Sequence, residues 1–210
     1  MRLGIFGGTF DPPHVGHLLA ASDALEHLAL DRLIFVPAAV QPLKTGRTTA
    51  AAADRLAMIR LTAGDDQRFD SDAVELDREG LSYTVDTLRE FARRFPSAER
   101  YFLVGADVLS SFAKWRDPQT VVDLATLAVL TRRAEPDAAT SASPSGPGQS
   151  DSPGSRPLSD ALTRRSTVVP TRRIDVSSTE IRERVRSGRS IHGFVTDAVA
   201  GYISSHGLYR

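Results

Sequence analysis

The residues most able to do chemistry lie near the start of the chain, in Gly7-Gly8-Thr9-Phe10-Asp11-Pro12-Pro13-His14-Val15-Gly16-His17. Two imidazoles three residues apart share one face if a helix begins here. Imidazole N–H groups aimed at phosphate oxygens stabilise the charge that develops during group transfer. The glycines let the main chain approach a phosphate closely, and a helix start adds unpaired N–H groups and partial positive charge. A zinc centre is disfavoured, because the other histidines are His27, His192 and His206 and there is no cysteine.

A second group of donors stands far away in the sequence, in Val176-Ser177-Ser178-Thr179-Glu180-Ile181-Arg182. Ser177 with Glu180 has capping-box spacing, so a helix is predicted to begin here. Its first N–H groups, the hydroxyls of Ser178 and Thr179, and Arg182 could together hold β- and γ-phosphates.

These groups need a scaffold, and the hydrophobic pattern supplies one. Continuous apolar runs at 3–6, 33–36, 101–105 and 127–130 predict buried strands, with a short one at 73–76. Helical spacing marks 15–30, 54–63 and 85–95, the last capped by Ser82 or Thr84, and then 178–186 and 196–205, closed by Gly207. Unbroken apolar strands alternating with helices predict a parallel sheet covered on both faces: an α/β, Rossmann-like doubly wound fold with a small C-terminal helical subdomain. Ligands are expected at the carboxyl ends of the strands. The expected division is a core at 1–133, a loop at 134–165 rich in Ala, Ser, Pro and Gly that lacks the apolar content to order itself, and a strand plus helices at 166–210 completing the nucleotide site.

Composition bounds the partners. The 210 residues are 41% hydrophobic and 25% charged, with 26 Lys+Arg balancing 26 Asp+Glu. Zero net charge gives no footprint for bulk nucleic-acid or membrane binding, so recognition of phosphate must be local. No apolar run approaches the roughly 18 residues that cross a bilayer, and the N-terminus does not read as a signal peptide. The expectation is a cytoplasmic protein, with homo-oligomerisation left open.

The first motif resembles the GTFDPxHxGH signature of the nucleotidylyltransferase superfamily, and the second resembles its ISSTxIR signature, with Val176 in place of Ile. Three further stretches resemble the bacterial nicotinate-nucleotide adenylyltransferases: Ser82-Tyr83-Thr84-Val85-Asp86-Thr87-Leu88, Gly105-Ala106-Asp107 followed by Trp115, and the C-terminal pattern from Val195 to Tyr209, with Thr196 where proline is usual. The resemblance covers nearly the whole chain outside about 134–165. It implies adenylyl transfer from ATP to nicotinic acid mononucleotide, giving deamido-NAD and pyrophosphate. Mg²⁺ is expected on the triphosphate, held mainly by substrate and water.

The resemblance also implies a site. His14, His17 and Arg182 are the expected catalytic residues. Gly7, Gly8, Thr9, Phe10, Gly16, Asp107, Ser177, Ser178 and Thr179 are expected at ATP, with Asp107 placed to accept from ribose hydroxyls. Lys44, Thr84, Gly105, Trp115 and Arg132 are expected at the acceptor. Trp115, the only tryptophan, offers a flat face to a pyridine ring, and the main chain at Thr84 and around Trp115 is implied to bind the nicotinate carboxylate. Lys44 corresponds to the family's phosphate-side lysine; Leu43 replaces the histidine usually before it. The rival readings are another transferase of the superfamily, such as phosphopantetheine adenylyltransferase or a cytidylyltransferase, and a non-catalytic nucleotide-binding protein. A Rossmann dehydrogenase and a P-loop NTPase lack their glycine signatures here.

Overall fold

A computed structural model describes residues 1–39, 50–78, 80–109, 111–132 and 162–210. Among these residues six strands form one sheet: β1 Arg2–Gly8, β2 Arg32–Pro37, β3 Phe69–Ser71, β4 Glu99–Gly105, β5 Thr126–Arg132 and β6 Ser166–Thr171. Every neighbouring pair is parallel, in the order β3-β2-β1-β4-β5-β6. The order reverses between β1 and β4, so their carboxyl ends open the crevice where a doubly wound sheet takes its ligand. Gly8 closes β1 and Gly105 closes β4 at that crevice.

The helices are α1 Val15–His27, α2 Ala52–Ala63, α3 Thr84–Arg94, α4 Ala106–Leu109, α5 Pro118–Leu124, α6 Ser178–Arg186 and α7 Asp197–Ser205, with a 3-10 turn at Phe112–Lys114. Although the strands read as continuous apolar runs, successive side chains sort to opposite faces. Leu3, Ile5, Ile34, Val36, Phe102 and Val104 pack with Val85, Leu88 and Phe91 of α3 and Val121 and Val122 of α5. Phe6, Leu33, Phe35 and Leu103 pack with Ala21, Ala24 and Leu25 of α1 and Ile59 of α2. A third cluster joins Met58 of α2 to Ile181 of α6, Val199 and Ile203 of α7, and Tyr209. The C-terminal helices therefore have an apolar seam of their own, docked through α2, while β6 is a full member of the sheet.

The predicted strands at 3–6, 33–36, 101–105 and 127–130 are all present, but the one at 73–76 is not. There the Asp72 carboxylate accepts from Val74 N at 2.8 Å and Asp77 N donates to Ala73 O at 2.9 Å, which makes a turn. The third strand lies just before it, in the polar Phe69-Asp70-Ser71 paired with β2. Nor is α3 capped by Ser82 or Thr84: its N-cap is Tyr83, with no side-chain cap bond. The short α4, the 3-10 turn and α5 have no counterpart in the sequence reading.

Candidate active site

The two distant motifs meet. Ser178 Oγ donates to Pro12 O at 2.8 Å, Arg182 Nη1 donates to Asp11 O at 2.7 Å, and Val15 N donates to Phe194 O at 3.0 Å. The main chain between β1 and α1 is thus clasped by α6 and by the segment before α7. Its shape comes from sterics as much as from phosphate access. A Cβ at Gly8 would stand 2.8 Å from the Phe10 ring, and one at Gly16 would stand 2.9 Å from His14 Nδ1. Phe10, at φ 49°, buries its ring among Phe6, Phe35 and His17. Its side chain is a core residue, so only its main chain remains for the nucleotide contact expected of it.

His14 and His17 lie face to face, with ring centroids 3.7 Å apart. His14 N donates to His17 Nδ1 at 3.2 Å. An Nδ1 that accepts must be unprotonated, so the proton of neutral His17 is on Nε2, a defined donor. Burial lowers the His14 pKa to about 4, and burial together with neighbouring His14 pushes His17 well below its ordinary value. Both rings are neutral near pH 7.

This gives a pH prediction with a definite sign. The unfolded chain takes up protons near pH 6.5 that the folded site refuses, so the folded state is favoured above that pH and loses ground as pH falls toward about 4. From pH 7 to pH 4.5, His14 alone should remove roughly 2–3 kcal/mol. Urea unfolding of wild type and His14→Asn across that range checks this. The variant should show a shallower acid loss; parallel curves would mean that His14 ionises freely in the fold.

The second motif uses its hydroxyls differently from the sequence expectation. Ser177 Oγ caps α6 by accepting from Glu180 N at 3.1 Å. The Ser178 proton goes to Pro12 O, so its hydroxyl joins the motifs instead of donating to phosphate. Thr179 Oγ1 accepts from Arg182 Nη2 at 3.2 Å and keeps its own proton. Arg182 is held by these bonds, and among the described residues the other N–H groups of its fork have no acceptor. Among the described residues the main-chain N–H groups of Gly16, Ser178 and Thr179 have no protein acceptor, whereas those of Val15, His17 and Glu180 do. Such helix-start amides suit anionic oxygens.

Behind the loop is a polar lock that sequence reasoning missed. Arg55, only 2% exposed, donates from Nη1 to Thr9 O at 2.8 Å. Buried Asp11 accepts from Ala50 N at 3.2 Å and from Tyr209 Oη at 2.8 Å. The penultimate residue of the chain thereby fixes the orientation of the first motif. One signal was visible: Arg55 is in helical register with Met58, Ile59 and Thr62 on the buried stripe of α2.

From Gly7 and Gly8 a cleft of about 410 Å³ runs along the ends of β1 and β4 to Tyr83, Thr84, Gly105, Asp107 and Trp115. Trp115 is half-buried, edge-on to Phe102 at 6.3 Å, so it is part of the cleft wall and not solely of the core. A Cβ on Gly105 would overlap Asp107 Oδ1, so a side chain there would make the Asp107 carboxylate swing away. Trp115 N donates to Phe112 O at 3.0 Å, so that amide is not available to a ligand. The first two amides of α3, at Thr84 and Val85, have no acceptor among the described residues, while Asp86 N and Thr87 N both donate to Tyr83 O. Lys44 lies outside the described residues, as does the side chain of Arg132 and nearly all of the loop at 134–165. Among the described residues no three His, Cys, Asp or Glu side chains group as metal ligands.

The parallel doubly wound sheet carries two clasped, donor-rich motifs at its switch point, and a family model described as cytidylyltransferase-like matches residues 5–184, so the chain belongs to that family of nucleotidyltransferases. The probable nicotinate-nucleotide adenylyltransferase of Gemmatimonas aurantiaca is 49% identical over 210 residues, covering all of this chain and 93% of that protein. A probable nicotinate-nucleotide adenylyltransferase of Thermus thermophilus is 44% identical over 211 residues, covering each chain fully. The nicotinic acid mononucleotide adenylyltransferase of Plasmodium falciparum, solved in complex with NaAD, shares the fold at a TM-score of 0.71 and 17% identity, covering 99% of this chain and 97% of its own. The chain belongs to the nicotinate-nucleotide adenylyltransferase family.

Proposed function

We propose that this enzyme transfers the adenylyl group of ATP to nicotinic acid mononucleotide, forming deamido-NAD and releasing pyrophosphate. The observation that carries the chemistry is the clasp between the two motifs. It leaves the Gly16, Ser178 and Thr179 amides, His17 Nε2–H and part of Arg182 as donors for a triphosphate. The names of the full-length relatives support the acceptor, and so does the uncapped start of α3 beside Trp115.

An oxygen of the acceptor's phosphate attacks the α-phosphorus of ATP. The new P–O bond forms as the bond from the α-phosphorus to the bridging oxygen breaks, and the electron pair leaves with pyrophosphate. The attacking oxygen is already anionic, so no protein base has to remove a proton. Catalysis is then positioning plus stabilisation of charge. His17 Nε2–H, at its tautomer-fixed position, and Arg182 donate to the phosphates, while Trp115 and the α3 amides hold the pyridine acid. Mg²⁺ would enter with the triphosphate, since no group of side chains among the described residues is arranged to hold it, and would neutralise phosphate charge. Lys44 and Arg132 are assigned to the acceptor's phosphate side, Asp107 to ribose hydroxyls, and Gly7, Gly8 and Thr9 to the main-chain wall beside the nucleotide. The core at 1–133 and the segment at 166–210 share the work, the first supplying the cleft and the second closing the ATP side. Cytoplasmic action is part of the same proposal; no helix among the described residues is long and apolar enough to cross a membrane.

The test is pyrophosphate release by purified protein with ATP, Mg²⁺ and, in turn, nicotinic acid mononucleotide, nicotinamide mononucleotide and phosphopantetheine. The first should be used best, and it alone should strongly change Trp115 fluorescence. Release only with phosphopantetheine would move the protein to that branch of the superfamily. No release with any acceptor would favour a binding protein.

A further inference from the structure

A carboxylate is an unexpected lining for a cleft that receives anions, yet Glu75 lines the same cleft as Thr84 and Trp115 and is only 7% exposed. One chain of donors ends on it, and a second hydroxyl stands beside it. On one side Arg78 Nη2 donates to Thr87 Oγ1 at 3.0 Å, and Thr87 Oγ1 donates to Glu75 Oε1 at 2.6 Å. On the other, Ala39 N donates to Ser82 Oγ at 2.9 Å, and Ser82 lies close enough to Glu75 to hold its pKa down. Burial raises the Glu75 pKa, opposed by the Thr87 and Ser82 bonds and the Arg78 charge.

The three segments joined in this way form the acceptor end of the site. Ala39 follows the exit of β2. Ser82 stands two residues before Thr84, and Thr87 lies in the first turn of α3, whose open amides are those of Thr84 and Val85. We propose that Glu75 is the positioning residue of the acceptor subsite: it sets where the first α3 amides point and thereby enforces an acid rather than an amide on the pyridine ring. It touches neither reacting atom. Its carboxyl group is buried and bonded to the Thr87 hydroxyl, so it orders the subsite without having to contact the ligand. The inference rests on the proposed acceptor, and its test separates the two.

The experiment compares wild type with Glu75→Ala, Glu75→Gln and the near-isosteric Thr87→Val. Glu75→Ala should raise KM for nicotinic acid mononucleotide about tenfold or more, leave KM for ATP within about threefold, and reduce the acid-over-amide ratio of kcat/KM by a similar factor. Glu75→Gln keeps one acceptor oxygen and loses the other, so it should fall between. Thr87→Val cuts one chain while keeping shape and should raise the acceptor KM about threefold, which decides the matter if Glu75→Ala does not fold. Hydrogen exchange of the amides at 82–85 should quicken in each variant while those at 178–182 stay as in wild type. An unchanged or lowered acceptor KM, an unchanged acid-over-amide ratio, or unchanged exchange at 82–85 would overturn the positioning role. Wild type inert toward nicotinic acid mononucleotide would overturn the acceptor assignment alone, and exchange would still decide the role of Glu75.

Discussion

Replacing His17 by alanine is expected to lower kcat about 10²–10³-fold, the usual loss when one preorganised donor to developing charge is removed. The structure sharpens that expectation. His17 has one ring nitrogen occupied by the His14 N–H, so its catalytic contribution is confined to Nε2. Asparagine at this position can reproduce the Nδ1 acceptor but not the distant donor; glutamine can reach the donor position. His17→Asn should therefore keep the turn and lose most of the rate, and His17→Gln should recover part of it. Steady-state turnover with both substrates saturating, together with thermal melts of each variant, checks this. Alanine retaining more than half the wild-type kcat would remove His17 from the transition state.

The second large effect is in specificity. Nicotinic acid mononucleotide should exceed nicotinamide mononucleotide in kcat/KM by roughly 10- to 100-fold. The acceptor acid presents two oxygens, both able to accept, whereas the amide presents an NH₂ donor at one position. The open amides at the start of α3 belong to adjacent residues, Thr84 and Val85, and the Trp115 amide is committed to Phe112. The amide-bearing ligand would set one donor against another, at a cost of about 1–3 kcal/mol. Measuring kcat/KM for both acceptors at fixed ATP and Mg²⁺ decides it. Equal values would dissolve the carboxylate subsite and leave the adenylyl-transfer chemistry standing.

Strands of four or more apolar residues, helices with one apolar stripe, and both donor-rich motifs were legible because each is a local pattern. Burial on both faces writes itself as an unbroken run, and a helix start writes itself as a cap or a glycine. The short β3 carries no such run: its three residues, Phe69, Asp70 and Ser71, are only half-buried and owe their strand to β2. The neighbouring Val74–Glu75 pair read as a strand because its burial comes from packing under α3, which periodicity cannot distinguish from burial in a sheet.

The amino-acid sequence by itself determined the fold class, the two motifs and the residue types able to hold phosphate. Only the tertiary structure decided which of their donors remain for a ligand. Ser178 and Arg182 reach back more than 160 residues to the main chain of Pro12 and Asp11, Tyr209 reaches Asp11 across 198, and Glu75 takes the Thr87 hydroxyl of α3. Each bond consumes a donor or acceptor that sequence spacing leaves open. A hydroxyl in a motif has the same chemistry whether it faces phosphate or a carbonyl, and only the folded chain brings that carbonyl within hydrogen-bonding distance.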